Sequence, residues 1–297
     1  MELSIAEWNL NFGADKNAKV ATFLKNYLKK LDIIIFTEVI YNQSIMDLMT
    51  ELEDAYTPYC SRAYNEGWHN QVIVMVKNDI VGIEIEQKMI DESVWCMEEM
   101  PDMVHLNVTY RAKSYQLIGV RVKIDSGRTD ENNYKYRYTQ FCNLTKYMSK
   151  MDNIILLGDF NNGMIKADSR LPYEEVKMQY EYTWKDKKRI KSLLRFYNFH
   201  LMKKELGNSY ILEEVSGEDS SWGLRIINGQ LNYGTIKNDQ VIIKQMEVVE
   251  SYYDWSFVRE HEMEYYLMLE QNRYKKGNKI EHGYPDHAML MVKVNLI

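Results

Sequence analysis

The chain has few of the residues that staple, kink or break a fold. Its 297 residues include three cysteines, Cys60, Cys96 and Cys142, widely spaced and without a Cys-x-x-Cys pair. That pattern excludes a disulfide framework or a zinc–thiolate site and reads as reduced thiols of a cytoplasmic protein. Four prolines and fourteen glycines are too few and too scattered to form a linker or a low-complexity tract. No internal repeat divides the sequence. No apolar run approaches the ~20 residues of a membrane helix, and the N-terminus lacks the basic-then-apolar pattern of a secretory signal. An excess of positive charge is missing too: 43 Asp and Glu against 37 Lys and Arg give −6, so there is no global attraction to nucleic acid. No Gly-x-x-x-x-Gly-Lys phosphate loop and no Gly-x-Ser-x-Gly elbow occurs. His261-Glu262 opens like a zinc-protease helix, but Tyr265 stands where the second histidine belongs.

What is present is a set of apolar strands that end in polar groups. Ile154-Ile155-Leu156-Leu157 reads as a strand covered on both faces, and Gly158-Asp159-Phe160-Asn161 follows it with a tight turn, a carboxylate and a carboxamide. By itself an Asp-x-Asn after a strand is an ordinary turn. The arrangement recurs, however. Ser4 to Asn9 is a short strand ending in Asn9, Asp32 to Glu38 a buried strand ending in Glu38, and Tyr284-Pro285-Asp286-His287 leads into the strand Ala288 to Val294. Carboxylates are rarely buried without partners. Several carboxylates and an imidazole at one rim repel one another unless a cation sits among them, which points to a hard divalent metal.

These pieces, with Asn238-Asp239 before Gln240 to Ile243, resemble the endonuclease/exonuclease/phosphatase superfamily, which has the fold of pancreatic deoxyribonuclease. Trp8-Asn9, Thr37-Glu38, Gly158 to Asn161, Asn238-Asp239 and Asp286-His287 stand in the family's order along essentially the whole length. The resemblance implies an α/β four-layer sandwich, two packed mixed β-sheets flanked by helices (DNase I-like), with residues 1–297 as a single catalytic domain. It implies a Mg²⁺-dependent phosphodiesterase, with Mn²⁺ a possible substitute, in which an activated water attacks a phosphate in line. Carried over residue by residue, Glu38, Asp286 and Asn9 are the candidate metal residues. Asp159 orients or deprotonates the water and Asn161 holds the phosphate or that water. His287 donates to the phosphoryl oxygen and Asp239 buttresses its imidazole. One position departs from the pattern: many relatives carry a histidine or asparagine on the strand Leu117 to Val122, and here the nearest candidate is Arg121. It reads either as a substrate-binding phosphate contact or as a salt-bridged structural residue. The tyrosine expected of abasic-site endonucleases has no clear counterpart.

The remaining pattern alternates helices and strands. Val20, Phe23, Leu24, Tyr27, Leu28 and Leu31 form one helical stripe; Ile45, Leu48, Met49 and Leu52 form a second; Tyr138, Phe141, Leu144, Met148 and Met151 form a third. Val72 to Val76, Val81 to Ile85, His105 to Tyr110 and Gln116 to Val122 read as mostly antiparallel strands. A cluster of Lys185, Lys187, Lys188, Arg189, Lys191, Arg195, Lys203 and Lys204, interleaved with Tyr182, Trp184, Phe196 and Tyr197, suits either a nucleic-acid strip or the solvated face of an amphipathic helix. The acidic, tyrosine-rich segment 246–284 reads as a flap over the site. A nuclease acting on DNA or RNA is the leading expectation. A phosphomonoesterase or phospholipid-directed phosphodiesterase of the same superfamily is the alternative, and a non-catalytic binding module the third reading.

Overall fold

The structure, a computed structural model, describes residues 1–13, 17–61, 71–90, 99–124, 130–165, 202, 204–213, 215–216, 220–234, 236–273 and 279–296. Among these residues two six-stranded sheets pack face to face, each built from an apolar strand run that alternates sides. The strands are β1 (Glu2–Asn9), β2 (Ile33–Val39), β3 (Tyr56–Cys60), β4 (Gln71–Lys77), β5 (Ile83–Gln87), β6 (Asp102–Tyr110), β7 (Lys113–Arg121), β8 (Ile154–Ile165), β9 (Ile211–Leu212), β10 (Arg225–Ile227), β11 (Gln230–Asn232), β12 (Ile236–Lys244), β13 (Glu247–Asp254) and β14 (Met289–Asn295). The first sheet runs β13-β14-β1-β2-β4-β3 and the second β5-β6-β7-β8-β12-β9; β10 and β11 form a separate ribbon. The β1–β2 and β7–β8 pairs are parallel and their other neighbours antiparallel, so both sheets are mixed, as expected.

Strand period decides which side chains go where. In β7, Tyr115 and Leu117 point to the space between the sheets, whereas Ile118 and Val120 point outward. Ile155 and Leu157 of β8, with Val241 and Ile243 of β12, join the inner set; Ile154, Leu156 and Ile242 join the outer. The outer set is covered by α3 (Asp130–Met148), whose fully buried Phe141, Leu144 and Met148 recur at helical spacing. Each such side chain contributes about 2 kcal/mol of burial. On the first sheet, α1 (Asn17–Lys25) and α2 (Gln43–Leu52) supply Val20, Phe23, Leu24, Ile45, Leu48 and Leu52. The α1 stripe outlasts its helix: Asn26 to Leu31 continues in tight turns, which still deliver Leu31 to the core. Strand β5 begins at Ile83, two residues later than the sequence pattern indicates, because Val81 is 87% exposed in the preceding turn.

The described residues of segment 246–284 do not form a flap. Residues 247–254 form β13, the edge strand that pairs with β14. Two helices follow, α4 (Ser256–Glu260) and α5 (Glu262–Arg273). Phe257 packs edge-on against Trp8 at 5.1 Å, and the buried Tyr265 hydroxyl donates to the Pro285 carbonyl at 2.6 Å. Its aromatic residues bury apolar area, so the segment props the strand ends from beneath. The basic cluster at 182–204 falls almost wholly outside the described residues.

The sheets approach closely at Gly119, on the inner face of β7. A Cβ there would lie 2.9 Å from Ile35 Cγ2, 3.2 Å from Val74 Cγ2 and 3.3 Å from Val72 Cγ1. The missing side chain lets β7 approach β2 two residues before Arg121, against Ile35, which stands three residues before Glu38. Gly119→Val is predicted to lower stability by roughly 1–3 kcal/mol through overpacking. Urea unfolding measures this, and an unchanged midpoint with unchanged slope contradicts it.

Candidate active site

Strand register brings the second sheet's polar residues into one row. Arg121 on β7 stands beside Asp159 on β8, and Asp159 beside Asp239 on β12. Facing them from the first sheet are Glu7 and Asn9 of β1, Glu38 of β2 and the Asp286-His287 pair just before β14. Backbone irregularities aim several of these groups. The β2–β4 pairing slips between Phe36 and Val39, and Glu38 sits in that bulge at φ 53°. A second slip lies between Lys237 and Asp239. Asn11, Phe12 and Asn161 also take left-handed backbone, at φ 47°, 67° and 49°. Such conformations in residues other than glycine persist where surrounding contacts enforce them, and they gather at functional sites. Gly158 is required by crowding instead: a Cβ would come within 1.8 Å of the Val120 carbonyl oxygen.

Asp159 is fully buried and held by three donors. Asn161 N donates to Oδ1 at 2.8 Å, while Asn161 Nδ2 and Asn9 Nδ2 donate to Oδ2 at 2.9 and 3.0 Å. Asn9 Oδ1 in turn accepts from Asn11 N at 2.8 Å. Asn11 ties this turn to the far end of the chain, donating to the Tyr284 carbonyl at 3.0 Å. His287 Nδ1 donates to Asp239 Oδ2 at 2.7 Å, which leaves Nε2 facing outward, 4.0 Å from Asp286 Oδ1. Asp239 is itself fixed: its N–H donates to Ser221 Oγ at 3.1 Å and its carbonyl accepts from Tyr253 Oη at 2.7 Å. Trp222 lies over His287, ring centroids 6.2 Å apart, and donates through Nε1 to Asp286 Oδ2 at 3.1 Å. Glu38 accepts from Arg121 Nη2 at 2.8 Å and Nε at 3.2 Å, both on Oε1. Of the two sequence readings of Arg121, the structure favours the ion-paired one.

Two participants carried no warning in the motifs. Glu7 is completely buried; Oε1 accepts from the Thr37 hydroxyl at 2.8 Å, and Oε2 has no hydrogen-bond partner. Its only sequence signal is a charge inside the otherwise apolar run Ile5-Ala6-Glu7-Trp8. Trp222 is the other, and it helps line a cleft of about 460 Å³ with Asn11, Arg225, Lys279, His282 and Asp286.

The charge balance is lopsided. Among the described residues, Glu7, Glu38, Asp159, Asp239 and Asp286 meet Arg121 and His287 as the cations in this cluster. Burial, then the Asp239 charge, pushes Asp159 up to about 7. Burial and the same neighbour push Glu7 well above the usual carboxylate range, and burial raises Asp286. Burial works against the charged imidazole, but the charge and hydrogen bond of Asp239 outweigh it, so His287 is held protonated well above its ordinary value. At Glu38 burial is likewise outweighed, here by Arg121, and the carboxyl stays below its usual range. Among the described residues no three His, Cys, Asp or Glu side chains are grouped closely enough to hold a metal ion, but the donor chemistry is of the kind a hard divalent cation takes. Its oxygens are carboxylate and carboxamide, negative charge is in excess, and Asp239 Oδ1 and Glu7 Oε2 are buried without a hydrogen-bond partner.

No protein-family model and no curated protein sequence matches the chain. Solved structures do. An AP endonuclease from Leishmania major superposes at TM-score 0.62 with 14% identity, over 100% of this chain and 88% of that one. D. rerio TDP2 complexed with a single-strand DNA product gives 0.59 and 12%, covering 99% of each chain. An endonuclease/exonuclease/phosphatase protein from Bacteroides vulgatus gives 0.56 and 11%, covering 100% of each. The chain therefore shares the fold of these structures, the DNase I-like arrangement of two packed mixed sheets flanked by helices.

The raised Asp159 value has a sign that can be checked. Between an unfolded value of ~3.9 and a folded value of about 7, the folded chain keeps a proton that the unfolded chain has released. Metal-free protein therefore loses stability through this group as pH rises from about 4 to about 7. Thermal melts in EDTA should show wild type falling relative to Asp159→Asn across that window and running parallel outside it. A pH-independent difference between the two contradicts the assignment.

Proposed function

We propose that this chain is a divalent-metal-dependent phosphodiesterase, a single catalytic unit whose substrate is nucleic acid. The observation that carries the reading is the joining of Asn9–Asp159–Asn161 with Asp239–His287 at one end of two packed sheets. Asp159, titrating near neutrality, is suited to take the proton of an attacking water, since a general base works best near ambient pH. Asn161 and Asn9 hold that carboxylate in one orientation. His287 keeps Nδ1–H on Asp239 and presents Nε2–H, so it can donate to a phosphoryl oxygen as negative charge grows there. Glu38 and Asp286, with the Asn9 carboxamide beside them, are the groups that would hold a Mg²⁺ or Mn²⁺ ion. When bound, such an ion supplies charge neutralisation on the phosphate oxygens.

Support for a nucleic-acid substrate comes from the cleft beside His287. Trp222 and His282 offer ring faces, and Arg225 and Lys279 offer cations for backbone phosphates. The TDP2 structure named above, which contains a single-strand DNA product, shares this fold. No described helix is long and apolar enough to cross a membrane.

The experiment is cleavage of supercoiled plasmid and of an end-labelled single-stranded oligonucleotide, with Mg²⁺ and with EDTA. Wild type should cut only with metal. Glu38→Ala, Asp159→Ala and His287→Ala should each lose about a hundredfold or more while remaining folded. Near-normal turnover in any folded variant removes that residue from its role. A folded, metal-supplied wild type that cuts neither substrate turns attention to RNA, inositol phosphates and phospholipids. For the cleft, Arg225→Gln with Lys279→Gln should raise KM and flatten its dependence on log salt by about 1–2 in slope. An unaltered slope places nucleic acid elsewhere.

A further inference from the structure

Arg121 is a cation supplied by the chain at the carboxylate where a metal ion would bind. Its side chain is 6% exposed, two of its N–H groups converge on Oε1 of Glu38, and Asp102 Oδ2 lies 3.9 Å from Nη1. Two features keep it there. Pairing of β7 with β8 sets Arg121 beside Asp159. The close sheet approach at Gly119 brings its strand against β2, which carries Glu38. A guanidinium is permanently charged and planar, and it cannot leave a buried pair by losing a proton.

Two consequences follow for any second cation at Glu38. Oε1 is already engaged by two N–H groups, so the oxygen not engaged by Arg121 is Oε2. The approaching ion also meets a fixed positive charge in a poorly solvated corner, where Coulomb repulsion is weakly screened. In return, Glu38 is compensated before any metal arrives, and the corner does not need an ion to stay assembled.

We propose that Arg121 is an internal counter-ion that positions Glu38 and weakens the site's hold on its divalent ion, so that the site stays formed without metal and takes the ion up reversibly. This rests on the metal-dependent reading given above.

The probe is Mn²⁺ alone, titrated into metal-free full-length protein. Free ion is followed by electron paramagnetic resonance, and Tm is measured with and without Mn²⁺. Arg121→Gln should melt below wild type without metal yet bind Mn²⁺ roughly tenfold or more tighter and gain a larger Tm increment from it. Arg121→Lys, which keeps a charge but loses the planar fork, should fold and bind with an affinity between the two. Glu38→Gln should abolish the Mn²⁺-dependent Tm increment. If Arg121 is only structural, both Arg121 variants lose Tm while their Mn²⁺ Kd stays at the wild-type value, and that overturns the proposal. Should Arg121→Gln fail to fold, a wild-type Kd in Arg121→Lys overturns it equally. No Mn²⁺ binding by wild type or any variant overturns it together with the metal reading. Tighter binding by the variants with no nucleic-acid cleavage by wild type sustains it while removing the nuclease assignment.

Discussion

Negative charge confined between two sheets is the constraint around which this molecule is arranged. Five carboxylates from β1, β2, β8, β12 and the turn before β14 converge where water is largely excluded. A folded chain can tolerate this in a few ways: it can protonate some of the groups, pair them with cations, or bind an ion. The first two leave marks here: Asp159 and Glu7 are pushed toward their neutral forms, and His287 and Arg121 are held charged, while two buried oxygens, Asp239 Oδ1 and Glu7 Oε2, accept no hydrogen bond. The crowding that makes the site costly also gives it a carboxyl titrating near neutrality and a protonated imidazole.

The fold serves that crowding through its least regular features. A bulge turns Glu38 out of β2, a slipped register sets Asp239, and a glycine lets the sheets meet beside Arg121. Apolar packing does the opposite work a few residues away. Inner-face Leu117, Ile155, Leu157 and Val241 fix the strands, so that the row Arg121–Asp159–Asp239 is rigid where it leaves the core. The aromatic props Phe257 and Tyr265 do the same for the Asp286-His287 turn from below.

Much of this was legible in the sequence because strand period and strand-end chemistry are local. Three apolar runs finishing in Asn9, Glu38 and Asp159-Phe160-Asn161, and a fourth that follows Asp286-His287, pointed to a common rim, and β1, β2, β8 and the turn before β14 hold these groups. What sequence withheld is relational. Nothing near Glu38 indicates that its partner lies 83 residues on, so Arg121 remained open between substrate contact and ion pair. Glu7 hid because a single charge in a short strand ordinarily marks a solvent-facing position, and burial of that charge depends on the second sheet. Segment 246–284 looked like a flap because acidic and tyrosine-rich composition suggests exposure. Tyr253, Trp255, Tyr265 and Tyr284 are in fact buried in the core. At 11–14% identity to structures of the same fold, the layered architecture persists.

The most direct test of the central claim is anomalous scattering from crystals of the protein soaked in Mn²⁺. The account predicts an ion against the carboxylates of Glu38 and Asp286, close to Asn9, with the Asp239–His287 hydrogen bond intact. An empty corner in crystals that hold Mn²⁺ elsewhere would contradict it: the trapped charge would then be neutralised by protons and Arg121 alone.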